Sequence, residues 1–192
     1  MNKYKNKEEL YFSYYLDELK KYDIIDSYTY EEETFKLSED IKYTHMKYTQ
    51  LKTKVKKQAI TKSLLKPCTY TPDFIILANS PTDGFFNIAA NNPIFISTND
   101  LKCYVDVKGM FAGRTNSTQY TFPLKQKWMY QKYNIYTNKV VPEKLFAKTF
   151  TPKKVIEEEI FKRDNVKKGI KKGDSKLKFE VKTIEEYLKS IN

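Results

Sequence analysis

At the start of the chain, Phe12, Leu16 and Leu19 return at helical spacing, which predicts a helix over residues 6 to 22 with one apolar stripe. Asn6 fits its N-cap, Glu8 and Glu9 its first turn, and Lys20 and Lys21 its last. Each charge then matches the backbone dipole at its own end. After that the period changes. Tyr28 to Leu37 is rich in Tyr, Thr and Phe, the residues that favour strands. DFIILA (73–78) and KCYVDVKG (102–109) are short apolar runs and read as two further strands. Alternation in the second puts Val105 and Val107 on one face, towards a core, and Asp106 and Lys108 together on the other. Gly109 then lets the backbone leave the sheet.

Pro81, Gly84 and Pro93 mark turns between these two runs, with a short strand predicted at 94–97. FPLKQKWMYQKYN (122–134) predicts a helix with Pro123 in its first turn, and IYTNKVVP (135–142) a strand. The order helix, strands, helix, strand implies an α/β core with a mixed sheet. Beyond 150 a helix near 152–163, a basic loop and a final strand and helix over 177–191 are expected. At 192 residues the chain suits one domain with additions. These are a core over 1–150, a basic β-ribbon insertion at 41–72, and a lysine-rich C-terminal extension at 151–192.

Charge narrows the partner. Lys and Arg number 35 against 24 Asp and Glu, a formal +11, which calls for a polyanion. Nucleic acid is the first candidate and a membrane surface the second. No apolar run approaches the length of a membrane span, and the N-terminal MNKYKNKEEL has no apolar core of a signal peptide. The expected place is therefore the cytoplasm, with no membrane partner. Cys68, Cys103 and the single His45 have no zinc spacing. The positive charge is concentrated: residues 41–72 contain no acidic residue and eight lysines. Lys52, Lys54, Lys56, Lys57 and Lys62 are the expected DNA-backbone contacts there, and the interleaved tyrosines could stack on unpaired bases. Lys125 and Lys127 on the later helix are expected to add phosphate contacts.

Asp73 opens one strand and Asp106 lies in another. Two carboxylates with a main-chain carbonyl, that of Val107, suit magnesium, a hard cation that prefers oxygen; manganese could substitute. Lys108 could then position a water or stabilise charge on a phosphate. The plain alternative for Asp106 and Lys108 is a strand salt bridge.

Pro72–Asp73 followed by Asp106-Val107-Lys108 resembles the signature of the PD-(D/E)XK nuclease superfamily. The gap of 33 residues between the aspartates implies an insertion relative to compact members. NKEELYFSYYLDELKKYDII is similar to the opening of small phage endonucleases with that core. The spacing Gln126-x-x-x-Tyr130 resembles a motif of the RecB-like branch, though a helix with one apolar and one solvated face explains it as well. The resemblance covers about residues 6–142 and implies a restriction-endonuclease-like core. It further implies a magnesium-dependent DNA endonuclease, with Asp73 and Asp106 on the metal and Lys108 at the attacking water. A glutamate from the first helix completes such sites, and Glu9 is favoured over its rival Glu8. By analogy with small basic phage resolvases the expected substrate is branched DNA, such as a four-way junction. Symmetric cutting would require a homodimer. Two alternatives stand beside it: a non-catalytic DNA-binding protein on the same core, and a restriction-type enzyme that cuts intact duplex.

Overall fold

A computed structural model of the chain describes residues 3–79, 98–109, 116–158 and 180–191. These fall into two compact units, one of residues 1–32 and 72–192 and one of residues 33–71.

The first unit begins with α1 (Lys7–Lys21). Asn6 caps it, accepting from the Glu9 N–H at 2.8 Å. Phe12, Tyr15, Leu16 and Leu19 bury the predicted stripe. Four strands form one mixed sheet: β1 (Ile25–Tyr30), β6 (Phe74–Ala78), β7 (Lys102–Val107) and β8 (Thr137–Val140), in that order across the sheet. β1 with β6 and β6 with β7 are antiparallel, whereas β7 and β8 are parallel. The α/β class and the mixed sheet follow the sequence pattern.

One face of the sheet is covered by the α1 stripe. Phe74, Ile76, Cys103, Val105, Val107 and Val140 join it in a single buried cluster. The other face is covered too. Ile75 and Tyr104 are buried there, as are Phe122 and Met129 of α2 (Asn116–Tyr133), which packs on β8. That helix begins before the expected residue 122, so Pro123 lies inside it. Two short helices follow, α3 (Pro142–Lys148) and α4 (Lys153–Ile156). The first was not expected; Pro142, which reads as the end of a strand, sits at the helix start, where its missing N–H costs nothing.

The C-terminal extension is not separate. Val155 and, from α5 (Ile184–Ile191), Ile184 and Tyr187 belong to the same core as α1. The predicted strand before α5 is absent at 180–183. Its earlier part, the strand at 94–97 and the basic loop of the tail lie outside the described residues.

The second unit is a stem and a ribbon. The stem pairs β2 (Phe35–Ser38) with β5 (Cys68–Tyr70), and Leu37 and Tyr70 are its buried residues. The ribbon pairs β3 (Ile41–Gln50) with β4 (Val55–Leu65) in an antiparallel hairpin. Only His45 and Ile60 escape full exposure among those strand residues. The insertion is therefore a ribbon, and it starts earlier than expected, at residue 33.

Candidate active site

β6 and β7 set the geometry. Their last ladder pair is Phe74 opposite Val105, so the next position places Asp73 opposite Asp106. Directly opposed residues of an antiparallel pair share a face, with Cβ atoms about 5 Å apart. Register alone thus brings the two carboxylates together. Asp73 is pinned on both sides: its carbonyl accepts from Glu31 N–H at 3.0 Å, and its Oδ2 accepts from Val107 N–H at 2.7 Å. Burial first, and then the negative charge of Asp106, push its carboxyl up to about 7; Val107 and Lys108 pull the other way.

Asp106 is only 4% exposed. The sequence pattern predicted a charged face without predicting that a helix covers it. Lys108 forms an ion pair with Asp106, its own side chain 23% exposed. The Lys108 main chain is fixed as well, its N–H donating to Val140 O at 2.8 Å. The two charges therefore share a face as expected. Both the strand salt bridge and the lysine of a catalytic site describe this geometry.

The glutamates of α1 separate. Glu9 is buried and surrounded by donors: Oε2 accepts from Lys5 N–H at 3.0 Å and from Tyr30 O–H at 2.6 Å, and Oε1 from Asn6 Nδ2 at 2.6 Å. Its charge still reaches Asp73, whose proton it helps to hold. Glu8 leans towards the end of β7. A Cβ on Gly109 would lie 3.1 Å from Glu8 Oε1, so Gly109 makes room for that carboxylate. The sequence favoured Glu9; the structure gives Glu9 the task of closing the helix start and puts Glu8 beside the residue after Lys108.

Two further residues belong to this neighbourhood. Lys139 of β8 is the register partner of Asp106. Its Nζ lies 6.0 Å from the Phe122 ring centre, and Lys108 Nζ lies 5.9 Å from the same ring. Sequence reasoning missed Lys139 because only strand register, not composition, reveals what it opposes. Tyr30 was missed because its link to the site is a hydrogen bond from β1 to Glu9 of α1, a helix–strand contact that composition does not reveal. Gln126 has a structural role, donating from Nε2 to Thr137 O at 2.6 Å and so tying α2 to β8. Lys127 and Tyr130 line an open groove of about 440 Å³ with Pro123 and Tyr136. Lys125 is half-buried on the same helix. Lys52, Lys54, Lys56, Lys57 and Lys62 are all exposed in the second unit.

No protein-family model, curated protein or solved structure matches the chain.

Among the described residues no group of three or more His, Cys, Asp or Glu side chains is arranged to hold a metal ion. A divalent cation here would draw on two carboxylates, with main-chain oxygen and water completing its shell. That donor set is hard oxygen throughout, which fits magnesium or manganese and not zinc. The raised proton affinity of Asp73 comes first from burial and second from the charge of Asp106, and a cation would offset that second part. No described helix is long and apolar enough to cross a membrane.

Proposed function

We propose that the protein is a magnesium-dependent deoxyribonuclease of the PD-(D/E)XK type acting on branched DNA. One observation carries the reading: the β6–β7 register sets Asp73 against Asp106, with Lys108 ion-paired beside them. Asp73, Asp106 and the Val107 carbonyl would hold magnesium, which when bound acidifies a water and neutralises charge on a phosphate. Asp106 orients Lys108, whose ammonium donates to a phosphate oxygen or to the attacking water. Lys139 adds positive charge on the same strand face. Glu8 is the α1 carboxylate that reaches this end of β7, and Glu9 positions α1 by closing its first turn. The exposed lysines of the second unit supply salt-sensitive backbone affinity. Cutting both strands symmetrically requires two copies of the chain.

A second reading is favoured by the near-complete burial of Asp106 in its ion pair with Lys108. On that reading the pair is structural and the chain binds DNA without cutting it. The test is supercoiled plasmid and four-way junction DNA with magnesium, beside Asp106→Ala and Lys108→Ala. The nuclease reading expects cleavage by the wild type and a loss of about a hundredfold or more in each variant. Binding without cleavage under magnesium and manganese supports the second reading. Equal cutting by all three proteins assigns the activity to a contaminant.

A further inference from the structure

Both faces of the β3–β4 ribbon are open to solvent along most of its length. Every residue of both strands is exposed except His45 and Ile60, which are half-buried. A hairpin of ten- and eleven-residue strands spans about 33 Å. With so little buried, such a ribbon is marginal by itself. Natural sheets blunt exposed edges with lysine, and edge protection alone would not require aromatic side chains beside those lysines.

The pairing register reveals a repeated unit. Tyr43 lies opposite Lys62, and Tyr48 lies opposite Lys57. Positions 43 and 48 differ in parity, so the two Tyr–Lys pairs project from opposite faces of the ribbon. Both tyrosines are exposed, at 43% and 62%. Lys57 Nζ lies 5.6 Å from the Tyr48 ring centre, so this pair forms a cation with an aromatic flank. Lys47 and Lys56 share the Tyr43 face. Lys42 shares the Tyr48 face and has an acidic neighbour, Asp40, at 3.7 Å. Each face therefore carries its own cations and its own aromatic ring, with no carboxylate from 41 to 72.

A ribbon that docks on a single surface would be expected to put its cations on one side and ordinary solvating polar groups on the other. Here both sides carry lysines and an exposed tyrosine. We infer that the ribbon inserts between two DNA backbones, with one duplex arm of a branched molecule against each face. This rests on the reading of the chain as a DNA-acting protein and specifies how branched DNA is recognised. Each face contributes lysines to an adjacent backbone, and its tyrosine packs where sugars or unpaired bases at the branch come within reach.

The test measures binding of the full chain, without divalent cation, to a four-way junction and to a linear duplex of the same sequences. One variant neutralises the first face (Lys47→Gln, Lys56→Gln, Lys62→Gln) and another the second (Lys42→Gln, Lys57→Gln). Either variant is expected to weaken junction binding by about tenfold or more, and to lower the salt slope by about 0.9 for each lysine removed. Duplex binding should fall less, so the preference for the junction collapses in both variants. If only one variant matters, as for a ribbon lying in a single groove, the inference is overturned while the nuclease reading stands. If both leave junction binding unchanged, the ribbon is not the DNA arm. Absence of DNA binding by the wild type, with binding to anionic vesicles instead, removes the DNA-acting reading itself.

Discussion

The sheet of the first unit and the ribbon of the second draw on the same residues, β-branched, aromatic and lysine, yet treat charge in opposite ways. In β7 every residue from Cys103 to Val107 is buried, so Asp106 must be paired, and Lys108 pairs with it. In β3 and β4 nearly every residue meets solvent, and lysines are placed with few partners. A buried charge is costly unless satisfied, so its position carries information about chemistry. An exposed charge costs little, so its meaning comes from number and sidedness. The sheet is where a reaction could be localised, and the ribbon is where affinity could accumulate.

The contrast is broken most severely in the core. Phe12, fully buried against Phe74, should cost about 3–5 kcal/mol when changed to Ala. Tyr48→Ala on the ribbon should stay within about 0.5 kcal/mol while weakening junction binding. Chemical denaturation of the two variants compares them directly, and similar losses would mean that the ribbon packs against something after all.

Next in size is a pH effect. The folded Asp73 holds its proton up to about 7, above the ordinary 3.8. Its contribution to stability is therefore complete below about 4 and is lost as pH rises through about 7. The whole shift corresponds to about 4 kcal/mol. Asp73→Asn should shrink the fall in Tm between pH 5 and pH 8. Magnesium should restore Tm at pH 8 in the wild type and not in the variant, because a ligand of the native state stabilises it. A wild-type Tm that stays level or rises across this window would contradict the burial described for Asp73.

The smallest effects separate the two glutamates. Glu9→Gln weakens the hydrogen bonds from Lys5, Asn6 and Tyr30 and should lower stability by about 1–3 kcal/mol. Glu8→Gln should change stability by no more than about 0.5 kcal/mol, yet lower cleavage. The reverse pattern would return the site role to Glu9.

These residues also mark where a sequence stops being informative. The stripe of α1 and the inward turn of Val105 and Val107 depend on local periodicity, and both were legible. The ribbon was legible in part, since local alternation over 41–72 suggests either an exposed β-ribbon or a mobile loop. The burial of Asp106 was not legible, because alternation describes one strand and says nothing of the α2 helix that covers its far face. The opposition of Asp73 to Asp106 could be suggested by two strands that each carry an aspartate and by a family resemblance, but not fixed, and Lys139 could not be guessed at all. Each depends on register between strands far apart in the chain. The Glu8–Gly109 approach depends on how α1 crosses the end of β7. The place of α5 in the core was hidden because its run of Ile184, Tyr187 and Leu188 looks the same on a free tail as on a docked one.

The central claim is that Asp73 and Asp106 share one divalent cation, and titration calorimetry with manganese at pH 8 measures this most directly. The account predicts saturable binding to the wild type that is lost in Asp73→Asn and in Asp106→Asn, with both variants folded by circular dichroism. No binding to the wild type, or binding that either variant retains at full strength, would contradict it.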